Sequence, residues 1–278
     1  MSSRAEVLAP RDQTAGSRLP RELAPGVFWI GDCFVWPPRP GQPPEHVYNS
    51  TYLVHGTERS LLVDTGHPND WEVVERLLDG LLARGVPPVE WIFPTHAEVT
   101  HAGNLERLLA KFPAARACAD TRDLHLLFPD YVDRFTNVGI GDGVDLGERR
   151  FVFVEAVFRD LAATLWGYDE GQRVLFTGDG LGFGHVHEAE QCGKVAEEIP
   201  GMPISDLTEL FAEYALYWTR LKTVEPHIAR LDTLMNVQYP VNTIAPAHGS
   251  PVCDPEATMP KVRDGLRQLA GKYRLTER

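Results

Sequence analysis

The sequence predicts an α/β fold in one domain: two sheets packed face to face with helices outside, an αββα sandwich. Three observations predict it. Short apolar runs of strand character recur through both halves, with amphipathic helical patterns between them. Several of those runs end on a carboxylate or imidazole beside a small residue, as expected where strand ends form the mouth of a site. No strong linker interrupts residues 24–278, which therefore read as one domain behind an arm at 1–23.

The arm is polar, carries Arg, Pro and Ser, and is expected to be flexible. Gly26-Val27-Phe28-Trp29-Ile30 is a short strand. Residues 36–46 are proline-rich and cannot pair in a sheet, because proline has no N–H; they read as a surface loop. Thr51-Tyr52-Leu53-Val54 and Ser60-Leu61-Leu62-Val63-Asp64 form a hairpin. A helix from about Asp70 sets Trp71, Val74, Leu77, Leu78 and Leu81 on one face. Val89-Glu90-Trp91-Ile92-Phe93 is a buried strand. A helix over 103–112 packs Leu105, Leu108 and Leu109. A short strand at 114–118 and a helix at 121–128 follow. Residues 142–147 are turn chemistry leading into a strand at 150–156.

A second hairpin joins 164–168 to 173–177. Residues 181–205 show no clear element, contain His185 and His187, and suggest a lid or site wall. From Asp206 an amphipathic helix presents Leu210, Phe211, Tyr214, Trp218 and Leu221. Pro226 should kink or restart it, and Ile228, Leu231 and Leu234 pack its second part. Residues 242–246 are the last strand, and 259–273 the closing helix.

Bulk properties exclude several functions. The formal charge of −12 argues against nucleic acid and anionic membrane as partners. No run of 18 apolar residues is present, so no spanning helix is expected. The N-terminus lacks an apolar segment of signal-peptide type. Cys33, Cys118, Cys192 and Cys253 show no CxxC spacing and read as free thiols, consistent with a cytoplasmic protein.

The chemistry concentrates in Pro94-Thr95-His96-Ala97-Glu98-Val99-Thr100-His101-Ala102-Gly103-Asn104, which leaves the end of the 89–93 strand. Asp64, Asp179 and His248 likewise end strands, and Asp160 follows the strand ending near 156. Each alone has an ordinary explanation as turn chemistry. Their repetition after apolar strands points to one metal-binding rim.

Asn49-Ser50-Thr51-Tyr52-Leu53-Val54, Leu62-Val63-Asp64-Thr65-Gly66, the His96 to Asn104 segment, Leu175-Phe176-Thr177-Gly178-Asp179 and Ala245-Pro246-Ala247-His248-Gly249 resemble, in order and spacing, the metallo-β-lactamase superfamily. Within it the chain is most similar to the diiron branch, the β-lactamase-like domain of flavodiiron and oxygen-binding diiron proteins. Glu98 stands where hydrolases have His, and the segments at 182–185 and 211–249 are similar to that branch. Two positions depart. Thr100 stands where the family has an Asp ligand. Asp160, nineteen residues before Asp179, stands where it has a third His.

The resemblance implies His96, Glu98 and Asp160 on one metal, His101 and His248 on the other, and Asp179 between them. Asp64, Thr100 and His185 would stand behind these ligands. Two divalent cations bring +4 and three carboxylates return −3, a set favouring iron or manganese over zinc. The implied function is diiron oxidoreduction. It would bind and activate or reduce O2, or NO, with a small organic molecule as a further candidate substrate. The flavodoxin-like FMN domain of flavodiiron proteins is not expected in these 278 residues, so a separate electron-donor protein is implied. Residues 36–46 and 181–205, with Tyr214 and Trp218, would wall an organic pocket. A homodimer is the base-rate assembly. The alternative is a zinc hydrolase of the same fold acting on an ester, lactone or thioester. Thr100 counts against it, because the missing Asp would orient the nucleophile.

Overall fold

The strand-forming runs close into two sheets because their side chains alternate between two buried surfaces. The computed structural model describes residues 18–36, 45–184 and 191–272. The prolines of the 36–46 loop, and His185 and His187, lie outside them, whereas the ends of that stretch, Trp36, Glu45 and His46, do pair in a sheet, because the prolines begin only at position 37.

The first sheet contains β1 (Arg21–Ala24), β2 (Val27–Trp36), β3 (Glu45–His55), β4 (Ser60–Val63), β5 (Val89–Phe93), β6 (Arg116–Ala119) and β7 (Phe135–Asn137), in that spatial order. β1 to β4 pair antiparallel, and β4 to β7 pair parallel. The second sheet holds β8 (Gly143–Asp145), β9 (Arg150–Glu155), β10 (Leu165–Asp169), β11 (Val174–Gly178) and β12 (Thr243–Pro246), in the order β12-β11-β10-β9-β8.

Alternation explains the layers. On β9, Phe151 and Phe153 join the core shared with the first sheet, whereas Val152 and Val154 join the core under the later helices. On β11, Val174 and Phe176 face the first sheet and Leu175 faces the helices. Aromatic rings lock the sheets together. Phe93 meets Phe153 at 4.9 Å and Phe151 at 5.9 Å between centroids, and Tyr52 meets Phe176 at 5.5 Å.

Helices α1 (Trp71–Leu82) and α3 (Leu105–Lys111) pack with the first sheet through Val74, Leu77, Leu78, Leu81, Leu105, Leu108 and Leu109. A four-residue helix, α2 (Val99–Ala102), precedes α3, and α4 (Leu124–Leu127) follows β6. The second sheet is covered by α5 (Ile204–Ala215), α6 (Glu225–Thr233) and α7 (Pro255–Lys272). Pro226 occupies the first turn of α6, where its missing N–H costs nothing, so it restarts the helix as expected.

The structure corrects several expectations. The boundary at residue 23 falls inside β1, where Arg21 already bonds Glu198 and the Gly193 carbonyl. Residues 142–147 do turn, yet their centre is an edge strand. The helix at 121–128 shrinks to α4. The helix begun near Asp206 ends at Ala215 and tightens into a 3-10 turn at Tyr217–Leu221. Tyr214 is 65% exposed and Leu221 79%, so neither belongs to the core. The buried face of α5 is Ile204, Leu207, Thr208 and Ala212. Its close approach to α7 sets that face: a Cβ on Gly265 would meet Thr208 Cβ at 2.7 Å and Ser205 O at 2.3 Å.

Gly167 on β10 lets the sheets approach. An added Cβ would meet the Phe151 ring at 2.2 Å and the Phe93 ring at 3.1 Å. Gly167→Ala should therefore cost about 1–3 kcal/mol, read as a lower urea midpoint at unchanged m-value. A loss below about 0.5 kcal/mol would show that the rings repack freely.

Candidate metal centre

Strand direction brings the polar residues to one rim. β4 and β5 run parallel, and so do β11 and β12. β9 and β11 are both antiparallel to β10 and therefore share a direction. Asp64, the His96 loop, Asp160, Asp179 and His248 all follow the C-terminal ends of these strands. The two sheets are stitched there by backbone bonds, Ser50 N to Ala247 O at 2.8 Å and Leu165 N to Thr95 O at 3.0 Å.

The cluster has two lobes. His96 Nε2 lies 3.1 Å from Asp160 Oδ2 and 3.3 Å from Glu98 Oε2. Asp179 Oδ1 lies 3.1 Å from His101 Nε2 and 3.4 Å from His248 Nε2. One ligand-type atom from each of His96, Glu98, His101 and Asp179 falls within 4.8 Å of the others. His101 Nε2 and Asp179 Oδ1 are buried, yet neither has a partner in hydrogen-bonding geometry. Two such atoms at ion-pair distance, both unsatisfied, are what converging lone pairs leave when a cation is the intended partner. The donors are all imidazole nitrogen or carboxylate oxygen, which fits iron, manganese or zinc.

The opposite nitrogen of each ring is held from behind. His248 Nδ1 donates to the Tyr48 carbonyl at 2.6 Å. His101 Nδ1 lies 3.0 Å from Asp64 Oδ2 and 3.3 Å from Thr95 Oγ1. The Thr95 hydroxyl donates to Asp64 Oδ1 at 2.9 Å, so its lone pairs are left to accept from His96 Nδ1 at 3.2 Å. When neutral, all three imidazoles would thus carry their proton on Nδ1 and turn an Nε2 lone pair inward, the arrangement that fixes histidine as a ligand.

The charges are unbalanced without a cation. Asp160 and Asp179 are mostly or fully buried, and among the described residues no lysine or arginine pairs with either. Burial pushes the His101 imidazole down, but Asp64 and Asp179 outweigh it and hold it well above its ordinary value. Burial and His101 lower His96, while Asp160 and Glu98 carry it above its ordinary value. Burial opposes ionisation of Asp179, yet His101 and His248 hold its carboxyl far below the usual range. Asp160 is lowered against burial chiefly by His96. Protons on the imidazoles stand in for the missing positive charge.

The expected residues His96, Glu98, His101, Asp160, Asp179 and His248 are therefore brought together, with Asp64 behind His101. The Thr100 hydroxyl is buried without a hydrogen-bond partner. His67, just after the end of the same strand as Asp64, caps the turn before α1 by accepting from Asn69 N. Sequence reading missed Thr95 as a shared anchor and the Tyr48 carbonyl. Thr95 had a signal, since it abuts His96 at the same strand end. A backbone carbonyl has none.

The profile of the metallo-beta-lactamase superfamily matches residues 44–248. The chain belongs to that superfamily. A coenzyme F420H(2) oxidase from Methanothermobacter marburgensis is 28% identical over 246 residues, covering 84% of this chain and 58% of its own length. An anaerobic nitric oxide reductase flavorubredoxin from Salmonella arizonae is 28% identical over 211 residues, covering 73% of this chain and 40% of its own. The chain thus spans less than two thirds of these curated relatives. Rubredoxin oxygen:oxidoreductase from Desulfovibrio gigas superposes with a TM-score of 0.70 at 17% identity, over 90% of this chain and 61% of that one, a shared fold. No helix among the described residues is long and apolar enough to cross a membrane.

Two predictions follow from the ring contacts. Asp64 has φ 56°, a conformation asparagine tolerates. Asp64→Asn can keep accepting from Thr95 while turning its NH2 toward His101 Nδ1, which moves that ring's proton to Nε2. Metal affinity should fall about 10–100-fold with circular dichroism unchanged, and unaltered affinity would refute the anchoring role. Because the raised imidazoles must lose their protons to a metal, loading should release protons. The imidazoles' stabilisation of metal-free protein is complete below about pH 6.5 and lost as pH rises through their raised values, while metal affinity climbs. Calorimetry in two buffers of different ionisation enthalpy reads the release; identical heats would contradict it.

Proposed function

We propose that this chain is a two-metal oxidoreductase with iron in the rim cluster, which binds dioxygen or nitric oxide and reduces it or uses dioxygen to oxidise a small organic molecule. Electrons are supplied by a reductant. The observation that carries this reading is the carboxylate-rich donor set, with two buried ligand atoms unsatisfied and, among the described residues, no lysine or arginine paired with Asp160 or Asp179. The relatives named as an oxidase and a nitric oxide reductase support the same chemistry.

His96, Glu98 and Asp160 would hold one ion, His101 and His248 the other, and Asp179 both. Iron in these places supplies the electron steps by which dioxygen or nitric oxide is reduced. The chain's own work is positional and electrostatic. Thr95, Asp64 and the Tyr48 carbonyl keep three Nε2 lone pairs turned inward. Glu98, with its side chain 50% exposed, marks the solvent side of the cluster, where a small molecule enters. The subsites are unequal, because the first has two carboxylates of its own and the second has none. Thr100 offers only a neutral hydroxyl where a further carboxylate would balance the second ion.

Protein produced with iron and zinc both available should carry about two irons per chain and consume oxygen when given a chemical reductant. Glu98→Ala and Asp160→Ala should each lose iron from the first subsite. Thr100→Asp should tighten the weaker of two binding steps and leave the stronger unchanged. Two zincs per chain, with ester or lactone turnover and no oxygen consumption, would overturn the reading in favour of a hydrolase.

A further inference from the structure

Asp160 belongs to two places at once. Its Oδ2 faces His96, and the residue also lines a cleft of about 510 Å³ formed by the segment after β9, the turn holding Trp218 and the first turn of α6. The cleft adjoins the metal centre and differs from it in character. One wall is aromatic. His227 packs, with its ring tilted, against Trp218 at 4.8 Å and Phe158 at 5.8 Å between ring centroids, and the Trp218 indole is pinned by its Nε1–H donating to the Arg159 carbonyl at 2.7 Å.

The charges around this wall are distinctive. Glu155 is neutralised by Arg230 at 2.6 Å. Arg159, which lines the cleft, and Lys222, which follows the 3-10 turn holding Trp218, form no ion pair among the described residues. His227 Nδ1 is buried and has no hydrogen-bond partner. Burial and these two cations lower the His227 pKa, so the ring is a neutral hydrogen-bonding group. On an exposed surface, unpaired Arg and Lys are ordinary. Both are exposed here, and what sets the place apart is that Arg159 lines a cleft with an aromatic wall and an unsatisfied buried nitrogen, on a chain of net charge −12. A local positive field on an acidic protein concentrates anions at that point. Flat rings on the wall offer stacking area to an apolar body.

We propose that this cleft seats a small aromatic organic anion, with its carboxylate or phosphate toward Arg159 and Lys222 and its ring against Trp218 and His227. The proposal names a substrate class for the oxidoreductase site and rests on that reading, since Asp160 is what joins the cleft to the metal cluster. Arg159 and Lys222 act as specificity residues. They discriminate charge and touch no metal.

The test is calorimetric titration of the full chain with benzoate, phenyl phosphate and neutral benzamide. It is run on metal-loaded and chelator-treated protein, for wild type and the double variant Arg159→Gln/Lys222→Gln. At least one anion should bind with a Kd of about 1 mM or tighter, with benzamide about tenfold weaker. The double variant should lose about tenfold for the anion, with benzamide affinity and metal content unchanged. Which anion binds more tightly separates a carboxylate from a phosphate ester. Absence of anion binding, equal affinity for benzamide, or full affinity in the double variant would overturn the proposal. Binding that vanishes on chelation would also overturn it, by placing the carboxylate on the metal. Anion binding by a protein that holds no iron would leave the cleft standing and remove only the oxidoreductase reading. Oxygen consumption by an iron protein that binds neither anion would do the reverse.

Discussion

The Asp64 carboxylate is the contact on which the rest of the centre depends. It sits at the end of β4 in a left-handed backbone conformation that few residues accept, and it is almost wholly buried. One oxygen accepts from Thr95 N at 2.8 Å and Thr95 Oγ1 at 2.9 Å; the other faces His101 Nδ1. A single side chain therefore ties the ends of β4 and β5 together and aligns two imidazoles. Thr95 also lies against Gly178, where a Cβ would meet its Oγ1 at 2.8 Å, so the second sheet is referenced to the same point.

Charge sets the second constraint. Among the described residues the rim gathers four carboxylates, Asp64, Glu98, Asp160 and Asp179, and its cationic candidates are histidines that must be neutral to act as ligands. Unpaired buried charge is expensive, and a fold that keeps it needs a resident counter-ion. Among the described residues, basic side chains stand next door, where Arg159 and Arg230 line the aromatic cleft. The two regions meet at Asp160. A carboxylate there, in place of the imidazole expected from the family resemblance, makes the first lobe more anionic and keeps a negative wall between the cleft and the ring of His96.

Much of this was legible from residue order. Each ligand candidate is among the first polar residues after an apolar strand run, and parallel strands deliver such residues to one rim. The helix faces of α1 and α3 followed from spacing alone, because their leucines recur at intervals of three and four residues. Three-residue strands such as β7 and β8 carry no periodicity to read, and the turn residues around Gly143 concealed an edge strand. The α5 stripe failed for a different reason. The face turned inward holds Thr208, packed at Gly265 of α7, which leaves Tyr214 on the solvent side, and the helix breaks at Leu216, so Leu221 falls outside the stripe. The Tyr48 carbonyl behind His248 could not be read at all, since every residue has a carbonyl and only the fold selects one.

The central claim is that His96, Glu98 and Asp160 hold one iron and His101 and His248 another, with Asp179 between them. Anomalous diffraction from crystals of protein purified without added metal, recorded at the iron and zinc absorption edges, tests it most directly. The account predicts two iron peaks flanking the Asp179 carboxylate, one on the Asp160 side and one on the His248 side. A single peak, peaks at the zinc edge alone, or an Asp160 side chain turned away from the ion would contradict it.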